Sequence, residues 1–111
     1  QASAIYHNAE HKDPRRLAST DEVRAVALAA LGRVDEAETL FEQAIADARA
    51  AGVDNGVEWP RVMAARAELY ARHRPAHAKA AVEDALRAHL EIYGESHPGT
   101  LRMHELAATL R

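Results

Sequence analysis

Residues 31–45 read LGRVDEAETLFEQAI and contain the signals that decide the fold. Gly32 predicts the end of one helix, because glycine readily adopts the left-handed conformation that closes a helix C-terminus. Asp35 and Glu36 predict the start of the next, since acids are favoured at the positive end of a helix. Apolar residues then recur with the spacing of an amphipathic helix, at Ala37, Leu40, Phe41, Ala44, Ile45 and Ala48. The stretch therefore predicts two helices joined by a tight turn.

Similar signals lie on both sides of this hairpin. Upstream, Ser19 and Glu22 form a capping-box pattern that predicts a helix start at Ser19, with an earlier start at Pro14 left open. Downstream, prolines that favour the first turn of a helix stand at Pro60, Pro75 and Pro98. Gly52 and Gly94 mark further helix ends. The whole chain is therefore predicted to be all-α.

Composition agrees with this fold class and excludes several functions. The 111 residues include 26 alanines, which favour close helix packing, and no cysteine, which excludes disulfide and thiolate chemistry. A net charge of −3 argues against a nucleic-acid partner, and no apolar run is long enough to suggest a membrane span. We therefore expect a cytoplasmic protein. Twelve arginines against two lysines are typical of a GC-rich bacterial gene.

An internal repeat organises the helices. Ala37 and Ala44 correspond to Ala78 and Ala85, an offset of 41 residues, and each pair lies in a helix that follows a tight turn and ends at a glycine. A period near 40 residues that is built from helix pairs predicts a solenoid.

The repeat resembles a known family. In LGRVDEAETLFEQAI, residues Gly32, Ala37, Phe41 and Ala44 match the signature of the tetratricopeptide repeat. Residues 85–107, ALRAHLEIYGESHPGTLRMHELA, are similar to the roughly 42-residue variety found in kinesin light chains and in bacterial regulatory proteins. The second copy departs from the pattern, because His73 occupies the place of the turn glycine.

This resemblance implies antiparallel helical hairpins stacked as a short right-handed superhelix of about two and a half repeats. We expect one domain, 1–111, in which 1–18 form an N-terminal helix and turn. Repeats follow at 19–51 and 58–93, and 97–111 form a capping or half-repeat helix. Because the pattern starts and stops within a repeat, we expect the chain to belong to a larger regulatory protein.

The family's function implies a protein-interaction module that binds a peptide or helix of a partner protein. In such repeats the first helix of each pair lines the groove. On the register that places Tyr70 in the groove, the lining residues are Glu22, Val26, Ala29, Met63, Arg66, Ala67, Tyr70 and His104. The alternative is an assembly element that forms a homodimer through exposed end faces.

An enzyme is the remote third reading. His7-Asn8-Ala9-Glu10-His11 spells H-x-x-E-H, a zinc-hydrolase signature, but so short a chain leaves little room for a third ligand and a walled cleft. We expect surface histidines there, no catalytic residue, no metal and no cofactor. Of the other aromatic and histidine residues, Trp59 is expected to pack, His97 to cap a helix, and His89 and His104 to lie on helix surfaces or edges. Either His89 or Leu90 can instead belong to the apolar face of the fourth helix.

Overall fold

The computed structural model describes residues 14–110, with side chains described from residue 20 onward. Five helices and no strand occur in this part of the chain, which confirms the all-α prediction. The helices are α1 (Pro14–Ala30), α2 (Val34–Ala50), α3 (Trp59–His73), α4 (Pro75–Ile92) and α5 (Pro98–Thr109). Within the same range no helix is long and apolar enough to span a membrane.

Three glycines end helices as the sequence predicts. Gly32, Gly52 and Gly94 have φ values of 84°, 72° and 90°, in the region that residues with a Cβ rarely adopt. After α1, Arg33 N donates to Leu28 O at 2.9 Å and Gly32 N donates to Ala29 O at 3.0 Å. This pair of hydrogen bonds is a Schellman motif, which satisfies carbonyls that the helix end leaves free.

The helices form two antiparallel hairpins and one further helix. Helices α1 and α2 pack against each other, as do α3 and α4, and Arg74 alone connects the latter two. Two contacts show that α3 and α4 are antiparallel. Arg66, earlier in α3, pairs with Asp84, later in α4, whereas Tyr70, later in α3, contacts His77 near the start of α4. Helix α3 also contacts α1 and α5, so α1, α3 and α5 form one layer and α2 and α4 lie on its other side.

The core lies between the two layers. The apolar face predicted for α2 is confirmed: Phe41 is fully buried and Leu40 is partly buried, while the alanines and Ile45 are buried. Trp59 is 6% exposed and packs at the start of α3, as expected. Small alanine side chains at the contacts let the helices approach closely. The core residues come from all five helices.

Two local predictions are wrong. Ser19 lies inside α1 rather than at its start, because the helix begins at Pro14, the earlier start that the sequence left open. His89 is 3% exposed rather than a surface residue, and its Nδ1 lies 2.7 Å from Ala85 O. The adjacent Leu90 is 39% exposed instead. A histidine whose ring nitrogen bonds the preceding turn can replace an apolar residue in a core.

Candidate functional site

A groove runs across the layer formed by α1, α3 and α5. It consists of a cleft between α1 and α3 and a wider cleft between α3 and α5, and Glu68 and Arg72 line both. The three helices point the same way, because successive contacts advance along each of them together. The groove is therefore a single surface that helix α3 divides lengthwise.

The cleft between α1 and α3 has an apolar floor. Val26, Ala29 and Ala30 line it from α1, and Ala65 and Leu69 line it from α3. Val26 is 45% exposed, which is high for a valine that packs between two helices. This part of the groove therefore exposes apolar surface to solvent.

The cleft between α3 and α5 is more polar. Arg102 Nε lies 3.1 Å from Glu68 Oε2, so an ion pair connects the two helices across this cleft. Arg72 and Glu105 add exposed charges, while Leu106 and Leu110 add apolar surface. The groove thus changes from an apolar cleft to a charged one across α3.

The predicted groove residues separate into two sets. Val26 and Ala29 line the groove, and Glu22 lies one turn before Val26, where its Oε1 is 2.6 Å from Arg61 Nη1. His104 is exposed on α5 but lies outside the residues that line either cleft. On α1, Val26 and Ala29 therefore lie on the side of the helix that faces the groove.

On α3 the four predicted groove residues do not face the groove. Met63, Ala67 and Tyr70 are 1%, 0% and 2% exposed, so the structure places them in the core, where they offer no surface to a partner. Arg66 points the same way and pairs with Glu42 on α2 and Asp84 on α4. These four residues lie on the side of α3 opposite the groove, because that side packs against α2 and α4.

The groove residues of α3 carry a signal that the sequence reading missed. Ala65, Glu68 and Arg72 line the clefts, and Arg61 lies one turn before Ala65 on the same face of the helix, at four-, three- and four-residue steps. Three of the four are charged, as expected for a face that meets solvent. This stripe marks the open face of α3.

On the opposite face, a cluster that we call the α2–α4 joint connects three helices. It consists of Glu42, Arg66, Tyr70 and Asp84. The Tyr70 hydroxyl donates to Glu42 Oε2 at 2.5 Å, and Arg66 Nε donates to the same oxygen at 2.7 Å. Arg66 Nη1 lies 3.4 Å from Asp84 Oδ2, and its Cζ lies 5.2 Å from the centre of the Tyr70 ring.

The joint shifts the pKa values of its members. Partial burial opposes ionisation of Glu42, but hydrogen bonds from Arg66 and Tyr70 and the charge of Arg66 together lower its pKa. Burial raises the pKa of Tyr70, and its hydrogen bond to the Glu42 carboxylate raises it further. Burial alone would lower the pKa of Arg66, yet its bonds to Glu42 raise it. The joint therefore favours an ionised carboxylate and a neutral phenol.

A second polar connection follows the turn between α3 and α4. Arg74 pairs with Asp35 and with Glu38, and the Glu38 carboxylate also lies 3.3 Å from His77 Nδ1. His77 in turn contacts the edge of the Tyr70 ring, with centroids 5.9 Å apart. These contacts fasten α4 to α2 on the side away from the groove.

The zinc-hydrolase alternative is not tested by the described residues. The H-x-x-E-H residues 7–11 lie outside the described residues, and among the described ones no group of three or more His, Asp or Glu side chains is placed to hold a metal ion. His97 is the N-cap of α5, as predicted, since Gly99 N donates to its Nδ1 at 2.9 Å.

No family model, curated protein or solved structure matches this chain. A role for the groove must therefore be inferred from its own side chains.

Proposed function

We propose that this protein is a protein-interaction module that holds a peptide or helix of a partner protein in the groove of α1, α3 and α5. The module is of the tetratricopeptide type, with α1–α2 and α3–α4 as stacked repeats of a short right-handed superhelix and α5 as the following half repeat. Its role is binding rather than catalysis, as part of a cytoplasmic bacterial regulatory protein.

The spacing of contacts between the hairpins supports the repeat. Glu22 in α1 pairs with Arg61 in α3, and Asp35 in α2 pairs with Arg74 at the start of α4. In both pairs the residues are 39 apart, close to the offset of 41 that relates Ala37 to Ala78 in the sequence. A period near 40 residues is the spacing of repeats built from helix pairs.

The groove itself is the observation that carries the binding role. It lies on one layer, is open to solvent along two clefts, and combines an apolar floor at Val26 and Leu69 with exposed charges at Arg72 and Glu105. A peptide-binding groove requires apolar anchoring and polar groups that fix orientation. Function rests here on the site, since fold alone does not decide it.

Photocrosslinking tests this proposal. A photoreactive residue at position 26 or position 72 lies in the groove, and one at Lys79, exposed on α4, serves as the control on the opposite layer. We expect protein adducts from cell lysate at the two groove positions and not at position 79. An excess of unlabelled wild-type protein should abolish the adducts, whereas an excess of Val26→Asp should not. Equal adducts at all three positions would contradict the proposal.

A homodimer is the second candidate function, and two exposed apolar side chains favour it. Val23 in α1 is 60% exposed, and Leu31, in the turn that follows α1, is 73% exposed. Light scattering after size-exclusion chromatography decides this point. A dimer that Val23→Asp converts to a monomer would support assembly, whereas a monomer at all concentrations tested would remove it.

A further inference from the structure

The loop between α2 and α3 contains the pair Asn55-Gly56, and Asn55 is exposed. Asparagine is one of the chemically labile residues of proteins, because the backbone nitrogen of the next residue can attack its side-chain amide. Such an attack is least hindered when the next residue is glycine, which has no Cβ beside that nitrogen. The other asparagine of the chain, Asn8, is followed by Ala9.

The two reacting groups of this pair are free of hydrogen bonds. Neither the Asn55 side chain nor Gly56 N forms a hydrogen bond with any residue from 20 to 110. The Gly56 carbonyl, in contrast, accepts from Trp59 N at 3.0 Å. The Gly56 nitrogen can therefore lose its proton to solvent without breaking a contact, and the exposed Asn55 amide can rotate toward it.

The end of the same loop is fastened to the rest of the protein. The Tyr93 hydroxyl, immediately after α4, donates to Val57 O at 2.5 Å. Trp59, two residues further on, is the first residue of α3 and is 6% exposed. A change in the backbone just before Val57 should therefore disturb the bond from Tyr93 and the first turn of α3.

We propose that Asn55 is a site of spontaneous deamidation. The deprotonated nitrogen of Gly56 attacks Cγ of Asn55, so that a new C–N bond closes a five-membered succinimide. The bond from Cγ to the side-chain nitrogen breaks, and that nitrogen takes a proton from water and leaves as ammonia. Water then opens the ring. Addition at Cγ gives aspartate, whereas addition at the main-chain carbonyl carbon gives isoaspartate, in which the chain passes through the side chain.

The two products change the loop in different ways. Both add one negative charge to a segment that already contains Asp54 and Glu58. Only isoaspartate also adds a methylene to the backbone, which should move Val57 O away from the Tyr93 hydroxyl and expose Trp59. The modification requires no occupant of the groove and is independent of the proposed function. Its extent should increase with the age of the protein.

Peptide mapping by mass spectrometry tests the site. The purified full chain is incubated at 37 °C in mildly alkaline buffer, and conversion of amide to acid is followed at both asparagines. We expect Asn55 to react at least about tenfold faster than Asn8, a factor that corresponds to about 1.4 kcal/mol of activation free energy. Mildly acidic buffer should slow the reaction, because less of the Gly56 nitrogen is deprotonated. Equal rates at the two asparagines would overturn the proposal.

The variant Gly56→Ala tests the attacking nitrogen. Gly56 does not have a positive φ, so its backbone conformation is compatible with alanine. The added Cβ should slow the conversion at Asn55 about tenfold. Circular dichroism checks that the variant has the helical content of the wild type. A conversion rate that this substitution leaves unchanged would show that Gly56 N is not the nucleophile.

The fluorescence of Trp59 tests the consequence for the loop, because the chain has one tryptophan. Anion exchange separates the acidic products from the unmodified protein, and chromatography of their peptides distinguishes isoaspartate from aspartate. The matched control is Asn55→Asp, which carries the same charge on an ordinary backbone. We expect emission at longer wavelength and stronger quenching by acrylamide for the isoaspartate form, and wild-type emission for Asn55→Asp. An isoaspartate form with wild-type emission would refute release of the loop.

Discussion

Two arginines on the same helix show how differently the two faces of α3 are built. Arg66 is 13% exposed and bonds Glu42 and Asp84, so its charge holds α2, α3 and α4 together. Arg72 is exposed in the groove and bonds no described carboxylate. A charge whose partners are internal contributes to folding, whereas one that the fold leaves unpaired is available to a ligand. The same contrast extends to the apolar residues around them.

The largest expected effect concerns the apolar residues of the two faces. Met63→Ala should lower the free energy of unfolding by about 2–5 kcal/mol, because the side chain is fully buried and its loss leaves a cavity. Val26→Ala should lower it by less than about 1 kcal/mol, since Val26 is already 45% exposed. Urea denaturation followed by circular dichroism measures both. Similar losses at the two positions would break the division between core face and groove face.

The two arginines give the next comparison. Arg66→Ala should cost about 2 kcal/mol of stability, because it removes charged hydrogen bonds and leaves Glu42 and Tyr70 without their cation. Arg72→Ala should change stability by at most about 0.5 kcal/mol, as for other exposed positions. The ranking should reverse for the protein adducts formed by a photoreactive residue at position 26, measured at a temperature where both variants are folded. Loss of these adducts in Arg66→Ala alone would contradict the placement of the partner in the groove.

Much of the fold could be predicted from the sequence because its signals are local. Gly32, Gly52 and Gly94 end their helices, and the spacing of Phe41 with its neighbours defines the buried face of α2, because both depend on residues a few positions apart. The start of α1 could not be fixed, since Ser19 and Pro14 are each acceptable near a helix N-terminus. Local preference alone does not choose between them.

The groove was harder to predict on α3 than on α1. Helix α3 contacts every other helix, so its apolar stripe is wide and does not show which edge remains open. Tyr70 has the amphipathic character of a binding residue, but its hydroxyl bonds Glu42, which lies 28 residues away in sequence. Such a contact depends on tertiary packing and not on helical periodicity. The charged stripe that includes Arg61 and Arg72 was the better guide.

A smaller effect should appear as pH dependence of the joint. The pKa of Glu42 is lowered from its ordinary value of 4.5, so its contribution to stability is present above pH 4.5 and lost as pH falls through the folded-state pKa. The pKa of Tyr70 is raised from 10.0, so its contribution is present below pH 10 and lost as pH rises above it. Between these limits both contributions are complete.

Comparison with Glu42→Gln measures this dependence. The stability advantage of the wild type over the variant should reach about 1 kcal/mol near pH 7, because the 44% exposed Glu42 side chain is screened by solvent. It should shrink toward pH 3 and again above pH 10. Urea denaturation at each pH gives the difference. An advantage that is constant from pH 3 to 11 would show that the joint contributes no charged interaction.

The smallest expected effect concerns the N-cap of α5, the helix that lines one side of the groove. His97→Ala should cost about 0.5–1 kcal/mol, because Gly99 N loses the side chain that caps it. His97→Asn should recover most of this loss, since asparagine is a good N-cap, and His104→Ala, on the exposed side of α5, should have almost no effect. Because α5 lines one of the two clefts, fraying of its first turn should also reduce the protein adducts formed at position 72 in His97→Ala. Unchanged adducts there would mean that the α1–α3 cleft alone holds the partner.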